Sequence, residues 1–164
     1  MRPSLLAVLL LLCSAPALAE EGDFTSLAGG GAMRVDTGAV VPLVKGELTY
    51  SITDRWGIAA PLGFSWGEGR RTLWAGLLAL ATVAQGETLR LDLRAGLPGM
   101  VGLSPAPTGL DLAAYGGAQL RWRPFWGVGL SLEAAYLSPL GLNRAIDRAN
   151  RAGVVLAASL FSEF

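Results

Sequence analysis

Apolar side chains recur at every second position along most of this 164-residue chain. In residues 88–97, for example, four leucines and one alanine occupy the odd positions, while Arg90, Asp92 and Arg94 occupy even ones. A period of two is the signature of a β-strand, because successive side chains of a strand point to opposite faces. Beyond the N-terminal segment, no apolar run reaches the roughly 20 residues that a membrane-spanning helix needs. The sequence therefore predicts an all-β fold.

Turn signals divide the chain into eight predicted strands. They are residues 25–35, 40–52, 56–66, 72–83, 88–97, 110–123, 126–136 and 153–164. The segment 72–83 alternates least, and we interpret it as a strand because its neighbours are strands. Each segment is about as long as the roughly 9–11 residues that cross a bilayer at a tilt. Residues 98–109, which contain three prolines, are predicted to form a long loop, as are residues 138–152.

The first 19 residues have the composition of a secretory signal peptide. Arg2 supplies a positive start, residues 5–12 are apolar, and Ala17-Leu18-Ala19 has the small-x-small pattern of a cleavage site. We therefore expect residues 1–19 to be removed and residues 20–164 to form a single barrel domain. Cys13, the one cysteine of the sequence, lies in the signal, so the mature chain is expected to have no disulfide and no cysteine-based metal site.

The same alternation fits two kinds of barrel, a soluble one with its apolar faces inside and a membrane one with its apolar faces outside. Aromatic residues favour the membrane barrel, because those on the apolar faces lie near strand ends, where the belts at the two membrane interfaces are found. They are Trp56, Trp66, Trp122, Trp126, Tyr136 and Phe164. A soluble core would place its aromatic side chains nearer to the middle of the strands.

Charged side chains favour the same interpretation. Both signs occur in the middle of strands, opposite the apolar faces, at Lys45, Glu47, Arg90, Asp92, Arg94, Arg121 and Glu133. An arginine or lysine that faced lipid at the midplane would cost about 2–4 kcal/mol, so in a membrane barrel these side chains must point inward. Eight strands enclose a lumen that side chains just fill. The sequence thus predicts a lumenal ion-pair cluster in an eight-stranded, antiparallel, up-and-down transmembrane β-barrel.

Residues 153–164 alternate cleanly and end on Phe164. A chain that begins with a secretory signal and ends in such a strand resembles the small eight-stranded outer-membrane β-barrels of the OmpA/OmpX type. The resemblance implies a place in the bacterial outer membrane, contact with its lipid and lipopolysaccharide, and recognition of the terminal strand, through Phe164, by the barrel-insertion machinery. It extends over the whole mature chain as a pattern and supplies no catalytic or binding residue. We expect a monomer.

Composition argues against several functions. Basic and acidic residues balance at 13 each, so no overall field attracts nucleic acid. The sequence has no histidine, the base on which the barrel enzymes of the resembling class rely. The carboxylates Glu47, Asp92 and Glu133 stand among arginines, which favours structural ion pairs over acid–base catalysis. No metal-ligand spacing is present. We expect a protein that is not an enzyme and that binds no cofactor.

The predicted loop at residues 138–152 contains a run of arginines. If Asn143 caps one or two helical turns, Arg144, Arg148 and Arg151 lie along one side of them. Since this loop is predicted to face the outside, these arginines are candidates for contact with lipopolysaccharide phosphates. The alternative is a solvated polar loop.

Three functions remain open from the sequence. The first is a non-enzymatic outer-membrane barrel with a structural or surface-interaction role and a lumen closed by charged side chains. The second is a narrow channel for ions or small solutes, gated by the same ion pairs. The third is a soluble, secreted, lipocalin-like barrel that binds a hydrophobic ligand, in which the two faces are exchanged.

Overall fold

The computed structural model describes residues 24–67, 70–104, 109–125, 127–142 and 152–163. Within these ranges the chain is almost entirely β-strand, and none of it forms a helix long and apolar enough to cross a membrane. The signal peptide predicted at residues 1–19, and with it the start of the predicted barrel domain, lies outside the described residues.

Ten strands follow one another along the chain. They are β1 (Phe24–Val35), β2 (Val40–Ser51), β3 (Trp56–Gly67), β4 (Arg70–Ala75), β5 (Leu78–Gln85), β6 (Leu89–Gly96), β7 (Gly99–Ser104), β8 (Gly109–Phe125), β9 (Val128–Pro139) and β10 (Gly153–Glu163).

The strands form a closed antiparallel ring with eight positions in its wall. Single strands occupy six positions, β4 and β5 share the fourth, and β6 and β7 share the fifth. Each position pairs with its neighbours along the chain, and the ring closes where β1 pairs with β10, from Thr25 opposite Glu163 to Val35 opposite Gly153. Closure gives every strand a hydrogen-bonding partner on both sides, which is the condition for placing strands in lipid. The fold is the predicted up-and-down barrel.

The side chains of β9 show which face of the strand points outward and which face points into the lumen. Leu130 and Leu132 are 45% and 59% exposed on the outer surface, whereas Ser131 and Glu133 are 2% and 5% exposed and point into the lumen. The same alternation holds along β10 and β3. At these positions of β9 the leucines lie outside and the charged side chain lies inside, the reverse of what the soluble barrel with an apolar ligand cavity requires.

The single strand predicted at residues 72–83 is wrong, because β4 and β5 are separated at Gly76 and Leu77. The neighbouring wall position breaks at the same height, between β6 and β7, where Pro98 has no N–H to donate to the ladder. Gly76 lies tightly against this proline, and a Cβ built on it would stand 2.6 Å from Pro98 Cα. When two neighbouring wall positions are interrupted at the same height, the alternation of side chains along each strand is unchanged. The sequence pattern therefore does not show the interruption.

The long loop predicted at residues 98–109 is wrong as well. Gly99–Ser104 forms β7, which pairs with β4 on one side and with β8 on the other. The carbonyl oxygen of Pro98 still accepts the Ala113 N–H at 2.9 Å, so the wall continues past this proline. Only Pro105 and Pro107 fall in the connection to β8, at residues 105–108, which are not described.

The other strand ends differ from the predicted ones by no more than three residues. The largest difference is at the sixth and seventh wall positions, where β8 continues to Phe125 and β9 extends to Pro139. The turn between them includes Gly127, whose φ of 78° lies in the left-handed region that favours glycine.

The barrel has two unlike ends. At the terminal end, where β1 begins and β10 ends, the connections span residues 52–55, 86–88 and 126–127. At the loop end, the connections span residues 36–39, 68–69, 105–108 and 140–152. Three of the four loop-end connections are therefore short, and the connection between β9 and β10 is the long one.

Glycines on the inner face make room for two aromatic rings. At Gly63 on β3, the place of a Cβ is filled by ring atoms of Trp74, and at Gly129 on β9 it is filled by ring atoms of Phe161. Trp74 and Phe161 are 1% and 2% exposed, so neither ring has free space to move into. The lumen is packed as a solid core at these points.

We expect Gly63→Ala to destabilise the barrel by about 1–3 kcal/mol, because the new methyl group displaces a buried indole ring from a close-packed interior. Urea unfolding of the protein reconstituted in lipid, followed by tryptophan fluorescence, measures this change. The matched control is Gly116→Ala, since Gly116 faces outward and a Cβ built on it meets nothing within 4 Å. Equal unfolding midpoints for both variants would contradict the packed-lumen description.

Candidate functional site

The seven charged side chains singled out in the sequence all point into the lumen. Six are buried, at 0–5% exposure: Lys45, Glu47, Asp92, Arg94, Arg121 and Glu133. The seventh, Arg90, lies opposite Arg121 in the register of β6 and β8 and keeps 17% of its side chain exposed. They come from β2, β6, β8 and β9, so the barrel wall brings together residues that are far apart in sequence.

Four of them form a central cluster, which comprises Lys45, Glu47, Arg94 and Glu133. Lys45 Nζ lies 2.9 Å from a Glu47 carboxylate oxygen and also pairs with Glu133. Arg94 uses its two terminal nitrogens separately, one 2.6 Å from Glu133 and the other paired with Glu47. Two cations and two anions thus alternate around a ring, which is the arrangement that best compensates charges removed from water.

Arg94 joins opposite walls of the barrel. It extends from β6, whereas its partners Glu47 and Glu133 lie on β2 and β9, neither of which pairs with β6. A guanidinium group suits this position, because its planar fork can donate to two carboxylates at once. The side chain therefore crosses the lumen and blocks it at mid-height.

A second group, the terminal cluster, surrounds Asp92. Its carboxylate is 2.8 Å from Arg90 Nε and 3.3 Å from Arg121 Nε, and it accepts a hydrogen bond of 2.7 Å from Thr82 Oγ1. Two arginines share this one aspartate, which is 0% exposed. Arg121 obtains further partners, donating to Gln119 Oε1 at 3.2 Å and to Thr25 Oγ1 at 3.4 Å. This cluster fills the lumen on the terminal side of the central one.

The loop-end half of the lumen is closed by apolar side chains, which we call the apolar plug. Its largest members are buried to 4% exposure or less: Met33, Leu43, Trp74, Met100, Tyr115 and Leu137. The rings of Trp74 and Tyr115 lie against each other, with centroids 5.8 Å apart. The lumen is therefore closed twice, by ion pairs towards the terminal end and by hydrocarbon towards the loop end.

Sequence reasoning missed the apolar plug, although part of it carries a signal. Val41 and Leu43 have the same parity as Lys45 and Glu47, so the face that is charged in the middle of β2 had to be apolar at its start. Trp74 offers no such signal, because β4 contains no inward charge in its described side chains that could mark the lumenal face. The charged positions predicted the lumenal ion-pair cluster, and no apolar layer was predicted beside it.

Asp111 is a further lumenal carboxylate that the sequence did not reveal as functional. It is 2% exposed and lies at the loop end of β8. One of its oxygens accepts the N–H groups of Leu112 and Leu142 at 2.8 and 3.2 Å, and the other accepts the Gly141 N–H at 3.1 Å. A single side chain thus holds the first residues of the connection between β9 and β10.

The aromatic residues named from the sequence fall at both ends of the outer surface. Trp56 and Trp122 lie at the terminal end, and Trp66 and Tyr136 lie at the loop end, all between 39% and 60% exposed. Phe24 adds to the terminal belt, with its ring 4.8 Å from that of Tyr50. The remaining two, Trp126 and Phe164, lie outside the described residues, as do Arg144, Arg148 and Arg151.

Among the described residues, no group of three or more carboxylate, cysteine or histidine side chains is placed to hold a metal ion. The described lumenal carboxylates instead bond to basic groups, hydroxyl groups or backbone N–H groups. Chemically, the arrangement is a balanced central set of two cations and two anions, a terminal set of two cations and one anion, and a neighbouring hydrophobic layer.

Comparison with known proteins finds similarity in structure only. No family model and no curated protein sequence matches the chain. The N-terminal β-barrel domain of Pseudomonas aeruginosa OprF matches with a TM-score of 0.64 at 18% identity, over 88% of this chain and 100% of that one. Ail, the attachment invasion locus protein of Yersinia pestis, gives 0.59 at 11% identity over 89% and 100% of the two chains. The outer membrane enzyme PagL gives 0.54 at 15% identity over 84% and 97%.

The fold is that of the small eight-stranded outer-membrane β-barrels. The outer surface of this barrel carries many exposed leucines, with exposed aromatic residues near both of its ends. At such low identities the likeness establishes the fold, so the roles of individual residues rest on the geometry of this lumen.

We expect Arg94→Met to destabilise the barrel by about 3–5 kcal/mol, because it leaves two buried carboxylates with Lys45 as their only cation in the central cluster. The double variant Arg94→Met/Glu133→Leu should recover part of this loss, since Lys45 and Glu47, 2.9 Å apart, remain as a neutral pair. Unfolding free energies in a lipid bilayer give the coupling between the two sites.

The matched control for these variants is Arg123→Met, which breaks the pair between Arg123 and Glu163 at the terminal end. These side chains are 48% and 27% exposed, so their pair should contribute no more than about 1 kcal/mol. Two results would contradict the stabilising role of the central cluster. One is an Arg94→Met variant that loses no more unfolding free energy than Arg123→Met. The other is a double variant whose loss of unfolding free energy equals the sum of the losses of Arg94→Met alone and Glu133→Leu alone.

Proposed function

We propose that this protein is a closed, non-enzymatic β-barrel of the bacterial outer membrane with a structural or surface-interaction role. The observation that carries the proposal is the double closure of the lumen, by the two ion-pair clusters and by the apolar plug. A barrel closed in this way offers solutes no passage, and its function belongs to its outer surface and its loop end.

The proposed location is supported by the outer surface. Leu48, Leu62 and Leu132 are more than half exposed there, and large exposed apolar areas on a folded protein indicate lipid or a partner. The closed ring of strands and the aromatic residues at both of its ends meet the requirements of a bilayer. PagL, a solved barrel of similar fold, is described as an outer membrane enzyme, which supports the same location.

The closed state is supported by the compensation of charge within the lumen. An ion that entered the central cluster would have to replace Arg94 or Lys45 as the partner of a buried carboxylate. It would then meet the apolar plug, where Trp74, Leu137 and Met100 are no more than 1% exposed. An ion without water or partners in such a layer has a large desolvation penalty. The narrow channel therefore lacks a continuous polar path among the described residues.

Two observations support the proposal that the protein is not an enzyme. The sequence contains no histidine, so neither Ser-His nor Asp-His arrangements can form. The described lumenal carboxylates are engaged in ion pairs or hydrogen bonds, and none is placed to act on a substrate at the outer surface. PagL, of similar fold, is described as an enzyme, so the fold itself does not decide the question.

A surface role would be exercised at the loop end. There Asp111 holds the start of the longest connection, and such anchoring limits how far that loop can move from the barrel mouth. Arg144, Arg148 and Arg151 follow within the same connection and are proposed to contact lipopolysaccharide phosphates. Ail is described as an attachment and invasion protein, which makes a surface-contact role for this chain a natural proposal.

The proposal also covers how the barrel is inserted into the membrane and its oligomeric state. The strand β10, which continues to Phe164, is proposed as the segment that the barrel-insertion machinery recognises. Because β1 and β10 pair along their whole length, the inserted barrel has no free edge to offer a second copy, and we propose that it is a monomer.

Planar-bilayer recordings in molar potassium chloride test the closed lumen. We expect the unaltered protein to insert without conductance steps, and we expect Arg94→Ala and Trp74→Ala each to stay silent, since either closure suffices alone. The triple variant Arg94→Ala/Arg121→Ala/Trp74→Ala should conduct, because it removes one large side chain from each ion-pair cluster and one from the apolar plug. Insertion of every variant is verified independently by resistance of the barrel to proteolysis in the vesicles.

Steady conductance steps from the unaltered protein would overturn the closed-barrel proposal and establish the narrow channel in its place. A triple variant that inserts and resists proteolysis, yet shows no conductance, would contradict the assignment of the ion-pair clusters and the apolar plug as the closures.

A further inference from the structure

The lipid-facing surface carries two charged side chains among the described strand residues, and both are arginines. Arg34 is the last residue but one of β1, and Arg71 is the second residue of β4. Both are exposed, and both have the parity of the outward-facing apolar residues on their strands. Neither forms an ion pair with a carboxylate in the described part of the chain. Two cations without a carboxylate partner among the described residues, on a surface that carries no other charge in the described strands, call for an anionic partner.

Both arginines lie at the loop end, on the same side of the barrel. The strands β2 and β3 lie between them, so their backbones are three strand spacings apart, or roughly 14 Å at about 4.8 Å for each spacing. Trp66 is paired with Arg71 across β3 and β4, which places both side chains at the level of the interfacial belt. Long arginine side chains at this level extend towards lipid headgroups.

Directly towards the membrane interior from these arginines, the outer wall has a groove of about 820 Å³. It crosses β10, β1, β2, β3 and β4, the strands that carry the two arginines and their neighbours. Its floor is formed by small residues such as Ala28, Gly30, Gly46 and Ala158, and Leu48 and Leu160 rise on either side. Ala28 is 8% exposed although it faces lipid, because these walls shield it.

The outer surface thus combines an apolar groove at the depth of acyl chains with two cations at the depth of headgroups. Phosphate groups match arginine in charge and in geometry, because two parallel N–H donors of a guanidinium group can bind one phosphate. Among the described strand residues, no carboxylate lies on the outward face. A zwitterionic or neutral lipid would use the groove but would leave the two positive charges uncompensated.

We propose that this groove and Arg34 and Arg71 form a binding site for a phosphorylated, multiply acylated lipid of the outer leaflet, of the lipopolysaccharide class. Acyl chains lie on the small-residue floor, and two phosphates on one headgroup contact the two arginines. The site is separate from the loop arginines at 144, 148 and 151. It rests on the outer-membrane location proposed above.

Native mass spectrometry of the full mature barrel tests the site, with three probes added in turn: bisphosphorylated lipid A, its fully dephosphorylated form and phosphatidylethanolamine. We expect the bisphosphorylated probe to bind at least tenfold more tightly than the other two. Arg34→Gln/Arg71→Gln should remove that preference, and Ala28→Leu/Ala158→Leu should weaken all three probes by filling the groove.

Matched controls change the same residue types elsewhere. Arg55→Gln alters an exposed arginine at the terminal end, and Ala95→Leu enlarges an outward-facing residue on β6, outside the groove. Both should bind the probes as the unaltered protein does. Each variant is first shown to be folded by its characteristic strand signal in circular dichroism.

Two outcomes would overturn the site: a folded protein that binds all three probes equally, or a groove-filling variant that abolishes a dimer while lipid binding is unchanged. The second outcome would assign the groove to another copy of the chain. Neither affects the closed-barrel proposal, which fails on conductance or on a failure to insert into vesicles. The two proposals are therefore separable.

Discussion

Arg94 is the side chain on which the interior of this barrel depends. It lies in the middle of the lumen, is 2% exposed, and reaches carboxylates on two strands that do not pair with its own. A buried guanidinium group without those partners would be strongly unfavourable, and the partners would be equally unfavourable without it. A shift of one residue in the pairing register of any of these three strands would point a charged side chain towards lipid. The central cluster therefore specifies register around the barrel as well as closing it.

The two halves of the lumen are filled by different kinds of side chain. Towards the terminal end, seven charged residues pair with one another and with hydroxyl and amide groups. Towards the loop end, Trp74, Tyr115 and Met100 pack as in a soluble core. Inner-face glycines such as Gly63 make that packing possible by leaving space for large rings. The outer surface is left free for lipid, and the asymmetric position of Arg34 and Arg71 distinguishes the loop end from the terminal end.

Much of this architecture could be predicted from the sequence, because alternation records which face of each strand is charged. The inward position of Arg90, Asp92 and Arg94 followed from the leucines between them. The apolar plug could not be found in the same way, since Arg71 lies on the outward face of β4, and β5 has no charged residue to mark its lumenal face. The break at Gly76 and Pro98 escaped detection because it depends on contact between strands, and a sequence pattern describes one strand at a time.

The central claim is that even-numbered residues of β9 face lipid and odd-numbered ones face the lumen. Single cysteines at Leu132 and Ser131, in a mature chain that is otherwise expected to lack thiols, can be labelled with a fluorophore and reconstituted in vesicles with brominated acyl chains. The account requires strong quenching at Leu132 and weak quenching at Ser131, which is 2% exposed in the lumen. Equal quenching at the two positions, or stronger quenching at Ser131, would contradict it.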